Sequence, residues 1–252
     1  MNIQPPYGYQ DIVPLTKTQK VRLQAGRAVP AALRGLGVLP LSFSEFAAAQ
    51  RDYPVTFISG DQGRSFMAMA LVGVEPGRNL FVDEAGTWAD GHYLPAFVRR
   101  HPFCMSRVAV EEQAQAQRIV CVERSAIAED GSALFDGGGE PLPAWQAQSR
   151  LLFEFEADLE RTVAMVQRLA ELQLLEPFSA QVSGASPITL TGMHRVSEEK
   201  LQALPADTLQ SLAQSGVLAR CYLHLASLGN FQRLLDRRAA RRNGAAAATP
   251  PN

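Results

Sequence analysis

Hydrophobic and polar positions follow different spacings in the two parts of the chain. Before residue 144, short apolar runs are separated by glycine, proline and aspartate, a pattern typical of strands and turns. Runs 55–58 and 66–74, divided by a glycine- and aspartate-rich segment, predict a β-hairpin. Runs 38–41, 79–83 and 118–122 predict further strands. The first part of the chain is therefore expected to be rich in β-structure.

From Trp145 onward the apolar residues recur at helical spacing. A helix from this point to about residue 175 is predicted by a stripe of Leu152, Phe155, Leu159, Val163, Val166 and Ala170. A short strand pair, 178–182 and 188–190, is expected next, bridged by 183–187. Helices follow over 198–204, 208–214 and 217–238, with an interruption of the last at Gly229 and Asn230. His224, inside that helix, is expected to be a hydrogen-bonded core histidine.

These elements predict an α+β fold. A β-rich N-terminal portion, 1–144, is expected to pack against a mainly helical C-terminal portion, 145–242, in one compact unit. Residues 243–252 lack core-forming side chains and are expected to be a disordered tail.

Composition and the length of the apolar runs argue against two classes of protein, disordered chains and membrane-spanning chains. The chain has 252 residues, 46% hydrophobic and 19% charged, which excludes disorder for most of its length. The apolar runs are too short to span a bilayer, so no membrane span is expected. With no visible signal peptide, a cytoplasmic location is predicted, and a surface location would need non-classical export. Three scattered cysteines, Cys104, Cys121 and Cys221, are expected to be buried thiols.

Candidate chemistry concentrates between residues 51 and 103. One hypothesis places a pocket around Asp83, His92 and His101, where two histidines and a carboxylate would serve a metal-assisted oxygenase or an accessory to one. Because the usual short spacing between such ligands is missing, neither a metal nor another cofactor is predicted. Arginines here could grip a carboxylate or phosphate. The candidate ligand-binding residues are Arg51, Asp83, His92, Arg99, Arg100 and His101.

Each of these candidates also has a structural interpretation. Arg51 could form an ion pair with Asp52 that holds the turn before a strand, and the others could brace a helix end. Phosphate-loop and nucleophile-elbow motifs are missing from the sequence, so no catalytic residue is predicted.

The C-terminal helix ends in a basic cluster. With 24 basic and 25 acidic residues the net charge is −1, so the whole chain has no electrostatic preference for nucleic acid or anionic lipid. Contact with an anionic partner could instead be local, through Arg233, Arg237, Arg238, Arg241 and Arg242. Nucleic acid is not expected as the partner, because aromatic residues for base stacking do not interleave with these arginines.

An ordered series of short motifs, at 39–46, 51–55, 76–83, 93–103, 134–136 and 228–230, resembles the bacterial SapC family over roughly residues 10–238. Members of that family are labelled surface-layer proteins or peptide transporter permeases. They are found as companions of TonB-dependent receptors and flavin-dependent halogenases. The resemblance implies a soluble binding or assembly protein of unknown ligand, accessory to such systems, and it carries over no catalytic residue.

Overall fold

The computed structural model describes residues 2–61, 63–110, 113–182 and 188–247. Its strands are β1 (Asn2–Ile3), β2 (Ile12–Pro14), β3 (Lys20–Val21), β4 (Val38–Pro40), β5 (Val55–Ile58), β6 (Met67–Leu71), β7 (Phe103–Val110), β8 (Gln113–Glu123), β9 (Ser132–Ala133), β10 (Leu175–Val182) and β11 (Ile188–Val196). Its α-helices are α1 (Phe46–Ala49), α2 (Ala96–Arg99), α3 (Pro143–Glu171), α4 (Glu198–Gln202), α5 (Ala206–Gln214), α6 (Val217–Ser227) and α7 (Asn230–Ala247). The fold is α+β, which confirms the predicted class.

The chain forms two compact units, and each is assembled from separate stretches of sequence. The first unit contains Met1–Arg34, Val82–Ala89 and Ala96–Ala157. The second unit contains Gly35–Phe81, Asp90–Pro95 and Asp158–Asn252. The predicted organisation, with portions 1–144 and 145–242 packed in one compact unit, stays a prediction.

The first unit is built on a four-stranded antiparallel sheet with the order β1-β7-β8-β2, and β3 pairs separately with β9. The long strands β7 and β8 form its centre, with Cys104 opposite Cys121. Burial raises the pKa of both thiols, to about 12 and about 11 respectively, so each behaves as an apolar core side chain. The main core cluster is Val21, Phe103, Val122, Ala126, Leu134, Trp145 and Leu152.

The second unit contains a five-stranded antiparallel sheet with the order β10-β11-β5-β6-β4. The predicted hairpin over 55–74 is confirmed as β5–β6, and the predicted strand pair after the long helix is confirmed as β10–β11. Residues 183–187, predicted to bridge that pair, lie outside the described residues. Helix α6 contacts β5 and β11 through His224, whose ring nitrogens lie 2.9 Å from the Val55 oxygen and 3.1 Å from the Val196 nitrogen.

Two predicted elements differ from the structure. Residues 79–83 do not form a strand, because the Asn79 side chain accepts the backbone N–H of Phe81 at 2.9 Å and turns the chain. The long helix ends at Glu171 rather than near 175, because Gln173 takes the left-handed backbone conformation with φ 55°.

The interruption predicted at Gly229 and Asn230 is confirmed, since α6 ends at Ser227 and α7 begins at Asn230. Helix α7 includes residues 243–247 of the predicted tail, and residues 248–252 lie outside the described residues. In the part of the chain that the structure describes, none of the helices combines the length and apolarity that crossing a bilayer requires.

Candidate functional site

A polar cavity of about 400 Å³ opens in the second unit, where the end of α1 meets the junction between α6 and α7. Its lining residues are Gln50, Arg51, Ala226, Gly229, Asn230 and Arg233. Two of them are arginines and none is acidic. The cavity therefore carries two positive charges without a carboxylate in its lining.

Asn230, only 5% exposed, forms the floor of this cavity. Its side-chain amide donates to the backbone oxygens of Gln50 at 2.7 Å and Tyr53 at 3.1 Å, which uses both amide hydrogens. Its side-chain oxygen accepts from Nη1 of Arg233 at 3.2 Å. At the break between α6 and α7, the buried Asn230 side chain thus links the start of α7 to the residues after α1 through hydrogen bonds.

Arg233 is held by one end of its guanidinium group. Nη1 donates to the Asn230 side chain and to the backbone oxygen of Arg51 at 3.2 Å, so both of its hydrogens are used. In the described part of the chain, neither Nε nor Nη2 has a hydrogen-bond partner. Since Nε and Nη2 present two parallel N–H groups, this edge is the one that grips a carboxylate or phosphate in bidentate fashion.

Arg51 is the second cation of the cavity and one of the residues that the sequence predicts as ligand-binding. Its side chain is exposed and contacts no hydrogen-bond or ion-pair partner among the described residues. The alternative ion pair with Asp52 is wrong, because the Asp52 carboxylate is bound elsewhere.

Asp52 and His92 join the loop after α1 to residues 90–95. Oδ1 of Asp52 lies 3.0 Å from Nδ1 of His92, and its Oδ2 accepts the backbone N–H of Tyr93 at 2.8 Å. On the other side of the ring, Nη1 of Arg237 lies 3.0 Å from Nε2 of His92. Because arginine can only donate, Nε2 must accept and the ring proton lies on Nδ1, facing Asp52. Both ring nitrogens of His92 are therefore engaged.

Helix α7 reinforces this cluster through Arg237. Its Nε donates to the backbone oxygen of Leu80 at 2.7 Å, and its guanidinium carbon lies 4.4 Å from the centre of the Phe81 ring. Partial burial lowers the pKa of this guanidinium. The cluster of Asp52, His92 and Arg237 braces the loop that carries Arg51, and Arg237 lies one helical turn after Arg233.

The four other predicted site residues belong to the first unit. Asp83 accepts the backbone N–H of Thr87 at 2.7 Å and holds a turn, and Arg99 is exposed in the last turn of α2. Arg100 is buried and donates to Glu156 at 2.5 Å, which also binds Arg118 at 2.7 Å. A ligand-binding role for these residues stays a prediction.

His101 is buried against Tyr9, with the two ring centres 5.4 Å apart. Burial, followed by the positive charge of Arg100, lowers the pKa of His101 to about 4. It is therefore neutral at physiological pH.

Of the residues in the metal hypothesis, Asp83 and His101 belong to the first unit and His92 to the second. Over residues 2–61, 63–110, 113–182 and 188–247, three or more histidine, cysteine, aspartate or glutamate residues never group as a metal site would need.

Most of the predicted basic cluster binds its own chain. Arg238 is buried and contacts Glu75 at 2.7 Å, while Arg241 donates to the Asn79 backbone oxygen at 3.3 Å. With Arg237 also engaged, Arg233 and the exposed Arg242 are the members best placed to meet an anionic partner.

The sequence pattern marks neither Asn230 nor Glu156 as a functional or bracing residue. Glu156 lies in the interior, where Arg100 and Arg118 neutralise its charge. No local pattern could reveal that pairing, since its partners lie 56 and 38 residues away. The motif at 228–230 marked the helix break without revealing what the asparagine binds.

Comparison with known proteins gives one match. The family model SapC matches residues 16–234 of this chain. No curated protein and no solved structure matches it.

Proposed function

The chain belongs to the SapC family, and from that premise we propose that it is a non-catalytic binding protein that holds an anionic group of its ligand between Arg51 and Arg233. The observation that carries this proposal is the cavity itself, in which two arginines face a space of about 400 Å³ without an acidic lining residue. Association with surface-layer or TonB-receptor systems stays a prediction.

The polar groups beside the cavity support binding rather than a reaction. A histidine acting as a base needs an accessible nitrogen, but Nε2 of His92 accepts from Arg237 and Nδ1 faces Asp52. These bonds hold the arginine-bearing loop in place, and a binding site benefits from such preorganisation because less freedom is lost when the ligand arrives.

Titration with sulfate tests the proposal. We expect the purified protein to bind sulfate at one site by isothermal titration calorimetry in low-salt buffer. Substituting Arg51→Gln should weaken binding by about tenfold, since one of the two charge-assisted contacts is lost. Arg150→Gln is the matched control, because it removes the same charge from an exposed position on α3 in the first unit.

A second pair of variants locates the ion. Ala226 is exposed at the rim, in the last turn of α6. Ala226→Glu places a carboxylate beside both arginines and should compete with sulfate, lowering affinity by about tenfold. Ala226→Gln has the same size without the charge and should bind as the parent does. Absence of sulfate binding, or equal affinity in the Glu and Gln variants, contradicts the proposal.

A further inference from the structure

We propose that the cavity selects a small, soluble phosphomonoester, recognised through its doubly charged phosphoryl group. This inference rests on the proposed function and adds the chemical class of the ligand. The cavity volume of about 400 Å³ lies near the lower end of small-molecule sites, which are typically about 300–1,000 Å³.

Charge is the first argument for a dianion. Two arginines are among the residues that line the cavity, and both are charged at any physiological pH. A carboxylate or a phosphodiester carries a single negative charge and would leave one of them uncompensated. A phosphomonoester carries close to two negative charges near neutral pH and matches both.

Donor geometry is the second argument. Nη1 of Arg233 is fixed by the Asn230 side chain and by the Arg51 backbone oxygen, each at 3.2 Å. The Nε and Nη2 edge is thereby left as a fork for two phosphoryl oxygens. The exposed Arg51 side chain, which belongs to the same cavity lining, then supplies donors for the remaining oxygen.

The rim accommodates the group to which the phosphate is esterified. Ala226 and Gly229 are exposed and small, and a Cβ atom added to Gly229 would meet the Ala226 backbone oxygen only at an ordinary 3.8 Å. A soluble ligand fits better than a lipid surface, because Arg237, Arg238 and Arg241 are bound to their own chain. Helix α7 therefore lacks the broad cationic face that binds anionic membranes.

Methyl phosphate and dimethyl phosphate have similar shapes but different net charges, so comparing their affinities tests whether the site selects a dianion. At about pH 8 the first is a dianion and the second a monoanion. We expect methyl phosphate to bind about tenfold more tightly than dimethyl phosphate or acetate. In Arg51→Gln this preference should largely disappear, while Arg150→Gln should retain it.

Equal affinities for methyl phosphate, dimethyl phosphate and acetate, all reduced by Ala226→Glu, would overturn the phosphomonoester inference and leave the anion-binding function standing. Failure of every anion to bind would overturn both. Vesicles of phosphatidylcholine containing phosphatidic acid present the same monoester on a surface, and the protein should not sediment with them. Sedimentation that Ala226→Glu abolishes would overturn the soluble-ligand assignment.

Discussion

At the level of single residues, two histidines are buried as neutral rings, one in each unit. His224 is fully buried and His101 is 8% exposed, and burial lowers the pKa of each to about 4. For His224, its position inside an apolar helix predicted this environment correctly. For the cluster of Asp52, His92 and Arg237, no sequence signal was available, because its members lie 40 and 145 residues apart.

These histidines predict a specific acid sensitivity. In the unfolded chain each takes up a proton near pH 6.5, but in the folded protein only near pH 4. The unfolded state therefore binds more protons across that window, and the free energy of unfolding must fall as the pH drops from 6.5 toward 4. We expect a loss of about 2–3 kcal/mol for each histidine, measured by urea unfolding at a series of pH values.

Replacing His224 by glutamine isolates its share of the effect. The amide can still donate one hydrogen bond and accept another but does not titrate, so the slope of stability against pH should be shallower between pH 6.5 and 4. An unchanged slope would show that His224 does not contribute.

At the level of elements, α3 shows how well the spacing of apolar residues predicts a helix and its buried face. Its stripe correctly predicted a long amphipathic helix and the burial of Leu152, Phe155 and Val166. It was wrong at one position, where Thr162 is buried and Val163 is 60% exposed. Hydropathy favours valine over threonine at a buried site, but Thr162 satisfies its hydroxyl by donating to the Asp158 backbone oxygen at 2.9 Å.

The buried pair on α3 makes a prediction about stability. Substituting Glu156→Gln leaves the buried Arg100 without a counter-charge and should cost about 3 kcal/mol in the free energy of unfolding. Glu154→Gln on the exposed side of the same helix should cost at most about 0.5 kcal/mol. Chemical denaturation of both variants measures the difference.

A double variant tests whether the stability lost in Glu156→Gln comes from the unpaired charge of Arg100 or from lost packing. Arg100→Met with Glu156→Leu removes both charges and keeps apolar volume, so it should recover most of the stability lost in Glu156→Gln. Equal stability of Glu156→Gln and Glu154→Gln would contradict the role of the buried pair.

At the level of the whole molecule, neither unit is a continuous piece of sequence. The core of the first unit includes Trp145 and Leu152 from α3. The sheet of the second unit places β11 beside β5, with Met193 opposite Ile58. Local patterns can predict strands and helices, but they do not show which distant segments share a core. For that reason the sequence predicted the α+β class but not this division.

This interleaving predicts that a cut at 144/145 leaves no folded piece. Fragment 1–144 keeps β4, β5 and β6 without β10 and β11, and it lacks the α3 side chains that complete the core of the first unit. Fragment 145–252 keeps the β10–β11 hairpin without its partner strand β5, and so exposes an unpaired sheet edge. Expressed separately, neither should show cooperative thermal unfolding by circular dichroism, whereas the full chain should. A cooperative transition and dispersed amide resonances from either fragment would show instead that 1–144 or 145–252 is an autonomous domain.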